Sequence, residues 1–498
     1  MHSISALRDA DTCWLLALGK IIAQTGLPTT EPFSYTYYLM TQTGIAHPFI
    51  LHQWLAELIF YKIFQLAGLG GLGLLVALLT SLSLVAVPAL AHYKEKVSIP
   101  MAMLIGTFAQ LGCAFRSYAR PEIFTYLLFA LSLYLIESMT KSARRRACAS
   151  YCYIAIYAAI TATWANLHSS FILAVCLSFL PLIAALANNF FTAAQAKAPE
   201  AEKNSSAKTL LPLVLLPVTT ILATLVNPAG INLWTYLPYL YFMKVAITEA
   251  RTLNLDDLHL RGFVPYFVLF PIYIITLIRY LRKFAGQKDA SFFLHCLGAI
   301  LALTLACNKI RLIIYILIII AYELPLLLTR LSKQAGDQAE VASSTTKQVW
   351  FKSPFLVLLA PLTCLIGSFY VTAFVHQSRL PEPSPSFDPP YDAIVYLRDH
   401  RPTGPVFNDH RFGDMMIWYL KPPVPVFIDT RIDMYGDQFC LRYAAMCNCQ
   451  NNWRQDLDEF GINYVFLPPN TPLVQTLAKD PGWSTIFADK TAVILQRR

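Results

Sequence analysis

Long apolar runs separated by short polar loops dominate the chain from about residue 70 to residue 375. A helix crosses a bilayer with roughly 17–25 apolar residues. The pattern predicts spans near 70–90, 98–115, 121–139, 150–167, 170–190, 209–226, 263–282, 291–306, 311–328 and 354–375. The stretch 48–66 is also apolar, but its Glu57 and Lys62 suit a helix lying in the interface better than one crossing it. Residues 12–25 read as a second such helix. The alternative, a true hairpin of 48–66 with 70–90, stays open. The pattern changes after a Pro-rich linker at 377–390. There the chain alternates: helix 391–399, strand 405–408, helix 411–420, strand 424–428, helices 436–446 and 452–460, strand 462–467, helix 471–479 and a hairpin over 483–496. Such alternation predicts a small α/β domain with a partly parallel sheet.

Loop charge orients the spans. One set of loops holds Lys94 and Lys96, Lys141 with Arg144–Arg146, the 191–208 segment, Arg282, Lys283 and Lys288, then Arg330, Lys333, Lys347 and Lys352. The positive-inside rule makes that set cytoplasmic. The other loops and both termini then face outward. Counting 48–66 as a span would put the Lys141–Arg146 run outside, which the rule disfavours. An outward segment beginning at Met1 has no hydrophobic helix ahead of it to export it, so either a span precedes Met1, the preferred reading, or later spans carry the short segment across.

Composition sharpens this picture. The 498 residues are 56% hydrophobic and only 14% charged, against roughly 25% charged in soluble chains. Net charge is +9. The excess sits in short loops and reports orientation; no Lys/Arg cluster marks a nucleic-acid face. Most of the 11 Cys fall in apolar segments, and Cys440, Cys447 and Cys449 show no zinc-type spacing. The fold class expected is an α-helical polytopic membrane protein with about ten spans, interfacial helices and a small C-terminal α/β soluble domain. Its parts are an outer segment 1–66, a transmembrane domain 67–376, a linker 377–390 and a domain 391–498.

The residues with chemistry gather on the outward side of this topology. Asp9 and Asp11, two apart, suit a divalent metal or a general base with its helper; Asp11-Thr12 equally suits a helix N-cap. His52 and Glu57 lie five apart on the interfacial stretch. Arg120 opens a span, where a cation binds lipid phosphate or a lipid-linked substrate. Asn166 and His168 end a span beside Trp164, and polar groups at that depth usually have a task. Asn227-Pro228 is first of all a turn. Glu249 and Arg251 precede a span, and Lys309 and Arg311 flank the outer end of another. Asp429, Arg431 and Asp433 follow an expected strand; an internal ion pair is the leading reading there, a site the second. No Walker A, zinc, Gly-x-Ser-x-Gly or dinucleotide motif is present.

In order along the chain, Asp9-Ala-Asp11-Thr12-Cys13-Trp14, Gly19-Lys20, Gly26-Leu27-Pro28, Pro32-Phe33-Ser34-Tyr35, His52-Gln53-Trp54-Leu55-Ala56-Glu57, Arg120-Pro121, Trp164-Ala165-Asn166-Leu167-His168 and Asn227-Pro228 resemble a family of bacterial membrane proteins grouped with the GT-C glycosyltransferases. Val406–Asp409, Val426–Asp429, Arg431, Asp433 and Tyr435-Gly436 continue the resemblance over nearly the whole chain. It departs at Leu15, Gln53 and Ser169, where the pattern has His, Glu and Gly. The resemblance implies a GT-C-like fold in the bacterial inner membrane with a periplasmic C-terminal domain that helps bind acceptors. It implies transfer of a sugar from a polyprenyl-phosphate carrier to a glycan, lipid or protein acceptor. Asp9 or Asp11 becomes the general base. Arg120, Lys309 and Arg311 take the leaving phosphate, and Asn166 and His168 bond sugar or phosphate. His52, Glu57, Asn227 and Glu249 join the expected substrate site. A divalent metal, if any, would sit on Asp9 and Asp11. Partners are the lipid-linked donor, the acceptor and membrane lipids. Two alternatives remain: a non-catalytic GT-C-like protein of envelope polysaccharide assembly, and a transporter of lipid-linked substrate.

Overall fold

A computed structural model describes residues 9–91, 97–113, 116, 118–142, 147–193, 201–241, 263–284, 290–306, 312–339 and 389–498. The expected span 354–375 and the residues Glu249, Lys309 and Arg311 lie outside the described residues. In chain order the helices are α1 (Asp11–Thr25), α2 (Tyr35–Gln42), α3 (Trp54–Ser81), α4 (Val87–Ala91), α5 (Ile99–Leu111), α6 (Glu122–Ser142), α7 (Ala147–Leu167), α8 (Ile172–Ser178), α9 (Leu180–Ala193), α10 (Ala201–Ala223), α11 (Asn232–Tyr241), α12 (Val264–Lys283), α13 (Ala290–Ala306) and α14 (Ile313–Ala339). The C-terminal region follows with α15 (Tyr391–Asp399), β1 (Val406–Asn408), α16 (His410–Tyr419), α17 (Ile432–Cys447), α18 (Trp453–Glu459), β2 (Tyr464–Leu467), α19 (Pro472–Leu477), β3 (Trp483–Ala488) and β4 (Val493–Arg497).

The chain divides into two compact units. One takes in Met1–Leu72, Ile231–Ile247 and Ser384–Arg498; the other takes in Gly73–Gly230 and Thr248–Pro383.

In the first unit the sheet order is β1-β2-β4-β3, with β1 and β2 parallel and the other pairs antiparallel. The strand expected at 424–428 is reduced to one residue. Val426 bridges Val406 of β1 on one side and Ser34 on the other. The Val426 N–H donates to Phe33 O at 2.9 Å, and the Tyr35 N–H donates to Val426 O at 3.2 Å. Backbone pairing thus carries the N-terminal segment onto the C-terminal sheet. Ser34 then caps α2, its Oγ accepting the Tyr37 N–H at 3.1 Å. Asp409 caps α16 in the same way, through Arg411 N–H at 2.9 Å.

Helix α1 meets an environment different from the membrane surface expected for 12–25. Thr12–Gly19 and Ile22 are buried within protein, and the helix packs on α16. Cys13, Trp14, Leu15, Leu16 and Leu18 run all the way round the helix, and a helix apolar on every side seeks a protein interior. Gly19 makes a second contact possible. A Cβ there would collide with the Glu57 carbonyl of α3, so the glycine lets the two helices touch. The expected 48–66 helix and 70–90 span form one run, broken at Gly68 with φ 59° and ψ −153°. That backbone conformation is essentially reserved for glycine, and it ends the first helix before the long apolar one begins.

The second unit is helical. Among the described residues of the whole chain, five helical stretches are long and apolar enough to cross a membrane: Trp54–Ala91, Glu122–Lys141, Ser169–Phe191, Val264–Lys283 and Ile313–Lys333. Ile99–Leu111, Leu210–Ala223 and Phe292–Leu305 are shorter apolar helices. Helix α14 is the centre of its unit: Ile314, Ile316, Leu317, Ile318 and Ile320 are fully buried. It packs against α5, α6, α12 and α13.

Candidate functional site

The first unit encloses a network of acids around one arginine. Arg431 donates through Nη2 to Asp429 at 2.6 Å and to Glu31 at 2.6 Å, and through Nε to Asp429 at 3.0 Å. Asp429 also accepts the Tyr435 hydroxyl at 3.1 Å. Glu31 accepts the Phe33 and Ser34 backbone N–H groups, which folds the 31–34 turn around its carboxylate. Burial pulls the Arg431 pKa down, but the facing Asp429 and Glu31 outweigh it and hold the guanidinium charged. Burial raises the Glu31 carboxyl above its ordinary value, with Arg431 opposing the shift. The ion-pair reading of Asp429 and Arg431 describes what these side chains do; the pattern missed that Glu31, 400 residues away, completes it.

Asp9 and Asp11 stand at the start of α1, partly exposed. Asp414 of α16 is fully buried. It accepts the Thr430 N–H at 3.1 Å and the Thr430 hydroxyl at 2.8 Å. Burial raises the Asp414 pKa well above the usual carboxylate range, and the charges of Asp11 and Asp429 add to that. Asp414 was not singled out from sequence, where it is one acid in the HRFGDMM segment; only the packing of α1 on α16 sets it near Asp11. Glu57 lies against α1 at Gly19, 1% exposed, with Gln53 hydrogen-bonding its carboxylate and the Arg431 charge acting on it. His52 sits 5.8 Å from Tyr236 of α11, ring to ring. Burial lowers its pKa, opposed by Asp433. Asp433 in turn accepts the Tyr236 hydroxyl at 2.5 Å. Among the described residues no three His, Cys, Asp or Glu side chains gather closely enough to hold a metal ion.

The second unit brings its own candidates to one end of its helices. Thr125 in the first turn of α6 shares a 2.7 Å hydrogen bond with Tyr315 in the first turn of α14. The Tyr315 hydroxyl reaches Ser170, just after α7, at 3.4 Å. The starts of α6 and α14 and the end of α7 therefore lie at one level. Arg120 lies two residues before α6, its guanidinium 5.9 Å from the Tyr118 ring. Arg116 forms a buried ion pair with Glu122. Asn166 donates 2.7 Å hydrogen bonds to Ala162 O and to Val226 O, tying the end of α7 to the loop after α10. Asn227 shapes that loop: its Oδ1 accepts the Ala229 N–H at 2.8 Å and its Nδ2 donates to Thr224 O at 2.6 Å. His168 Nδ1 accepts the Ser170 N–H at 3.0 Å. That role leaves Nε2 to carry the proton of a neutral ring.

A second polar network, unforeseen in the sequence pattern, lies among the helices of this unit. Glu323 of α14 accepts the Tyr273 hydroxyl of α12 at 2.6 Å and faces His295 of α13 at 3.6 Å. Arg330 reaches both His295 Nε2 and the Tyr280 hydroxyl at 3.1 Å. Glu137 of α6 accepts the Tyr322 hydroxyl at 2.6 Å and pairs with Lys141 at 2.8 Å. Glu137, Glu323 and His295 are all buried.

No family model matches the sequence, and no curated protein matches it. Solved structures do. The apo oligosaccharyltransferase of Archaeoglobus fulgidus aligns with 92% of this chain at a TM-score of 0.57 and 13% identity; the match spans 65% of that protein's own length. The oligosaccharyltransferase AglB of the same organism, in complex with an inhibitory peptide and a dolichol-phosphate, aligns with 92% of this chain at a TM-score of 0.50 and 12% identity, again over 65% of that protein. Apo ArnT from Cupriavidus metallidurans aligns with 97% of this chain and 92% of its own, at a TM-score of 0.50 and 14% identity. Over nearly its whole length the chain has the fold of the GT-C glycosyltransferases.

Proposed function

We propose that the chain transfers a sugar from a polyprenyl-phosphate carrier to a glycan, lipid or protein acceptor at the outer face of the bacterial inner membrane. The observation that carries this is the fold shared with ArnT from end to end. AglB, similar in fold, is known with a dolichol-phosphate and a peptide bound, which fits a lipid-linked donor here. The topology that goes with this reading has about ten spans, a periplasmic 391–498 domain and the helix from Trp54 to Gly68 on the outer side.

The chemistry follows from the residue types. A carboxylate, Asp9 or Asp11, takes the proton of an acceptor hydroxyl. The acceptor oxygen attacks the anomeric carbon as the bond to the carrier phosphate breaks. Arg120, with Lys309 and Arg311, neutralises the charge gained by the leaving phosphate. Asn166, His168, Asn227 and Glu249 complete the proposed substrate contacts. The experiment is release of labelled sugar from a radiolabelled polyprenyl-phosphate sugar by the full chain in detergent. Asp9→Asn or Asp11→Asn is expected to slow it about 10²- to 10⁴-fold. Turnover undiminished in both variants removes the aspartates as catalysts.

One observation favours a second reading, transport of a lipid-linked substrate. Glu137 and Glu323 lie inside helices long enough to span, where ionisable groups commonly mark a transport path. Movement of labelled carrier across vesicles, abolished by Glu323→Gln while sugar release persists, selects that reading.

A further inference from the structure

The interior of the first unit holds three polar atoms with no hydrogen-bond partner among the described residues: Trp14 Nε1, Glu57 Oε2 and Arg431 Nη1. Their residues are 7%, 1% and 7% exposed. The three belong to one neighbourhood. The Arg431 guanidinium carbon lies 5.5 Å from the centre of the Trp14 ring, and Arg431 is the charge that acts on Glu57. The remaining polar atoms of these side chains are committed. Arg431 Nε and Nη2 serve Asp429 and Glu31, and Gln53 serves the Glu57 carboxylate. Native interiors leave few buried polar atoms unserved, and each such atom asks for an explanation.

The chemistry of the spare atoms is specific. Two donors and one acceptor match a single hydroxyl, which accepts two hydrogen bonds and donates one. Charge argues against an ion. Arg431 is already matched by two carboxylates, so an anion would gain no unpaired cation. A cation would meet two donors.

We propose that Trp14, Glu57 and Arg431 form a buried site for one neutral hydroxyl of the kind a carbohydrate carries. The assignment of that hydroxyl to a sugar rests on the transferase reading above. A water molecule offers the same chemistry, and the test separates the two sources. Arg431 and Trp14 would orient the hydroxyl, and Glu57 would hold its proton. The site brings the Trp14, Glu57 and Arg431 motifs, far apart in sequence, to one ligand.

The test uses the full chain in lipid nanodiscs with glucose as the probe. Thermal unfolding is followed against glucose concentration for wild type, Trp14→Phe and Glu57→Gln. The phenylalanine keeps an aromatic ring and removes the donor together with part of the indole's volume, so the readout is the glucose concentration required and not the starting unfolding temperature. Glucose is expected to raise the unfolding temperature of wild type saturably. The concentration required should rise about tenfold in each variant, the cost of one lost hydrogen bond to a charged or buried partner. An equal response in all three proteins would mean that water fills the site and glucose acts as a general solute, and the proposal falls. No response in wild type also overturns it. Sugar release from the polyprenyl-phosphate donor is measured on the same preparation. Its absence in wild type, beside a variant-sensitive glucose response, removes the transferase reading and leaves the hydroxyl site standing.

Discussion

Around Arg431 two carboxylates share one guanidinium, several backbone N–H groups and the Tyr435 hydroxyl; among α6, α12, α13 and α14 Glu137 and Glu323 each take a tyrosine hydroxyl and one basic neighbour, Lys141 or His295. The difference reflects what each network joins. Arg431 ties a turn at 31–34 to a loop at 429–431, and a fixed charge with a planar fork holds two irregular segments in one geometry. The helices of the second unit already satisfy their own backbone. In a membrane interior their few ionisable side chains need partners close by, and a tyrosine of a neighbouring helix supplies one donor to each carboxylate.

The largest expected effect tests the arginine. Arg431→Met leaves Glu31 and Asp429 buried without a cation and is expected to cost about 3–5 kcal/mol. Limited proteolysis should then cut the C-terminal region while the helices of the second unit stay protected; a wild-type digestion pattern would show that the network is dispensable. Next comes Gly19→Ala, which drives a methyl into the Glu57 carbonyl. A loss of about 1–3 kcal/mol is expected from forcing α1 off α3, read as a lower unfolding temperature, and an unchanged temperature contradicts the close contact. Tyr273→Phe leaves Glu323 Oε2 without its donor and should cost about 1–2 kcal/mol. Glu323→Gln should cost less, because Tyr273 keeps an acceptor. The reverse order would mean that Glu323 is not held through Tyr273.

The smallest effect is read as a slope. Asp414 binds its proton more tightly folded than unfolded. Between the unfolded value, about 4, and the higher folded value, the folded state therefore holds more protons, and stability falls as pH rises through that window. Asp414→Asn removes this contribution. Unfolding temperatures of wild type and variant should diverge in favour of the variant as pH rises from 5 to 8, and parallel curves exclude the shift.

Much of the C-terminal region was legible in its pattern. Helices at 391–399, 411–420, 452–460 and 471–479, strands at 405–408 and 462–467, and the closing hairpin all have counterparts within a residue or two. Each is local, set by short alternating runs and by turn residues. The expected strand at 424–428 shrank to a bridge at Val426 because its neighbours on one side are residues 33–35 of the N-terminal segment, a pairing no local window contains. The cover of the 12–25 helix was out of reach for a related reason. Composition marks an apolar helix, but whether protein or lipid covers it depends on what else packs there.

The sequence by itself determined the apolar helices, the alternating C-terminal elements and the residue types able to handle a proton or a phosphate. Those follow from hydrophobic period and from side-chain chemistry, which act over a few residues. Tertiary structure decided which acids meet. Asp11 comes near Asp414, Glu31 joins Asp429 on Arg431, and Glu323 finds Tyr273. These pairings span from 50 to 403 positions. A buried charge selects its partner by distance in the folded chain, and sequence separation carries no record of that distance.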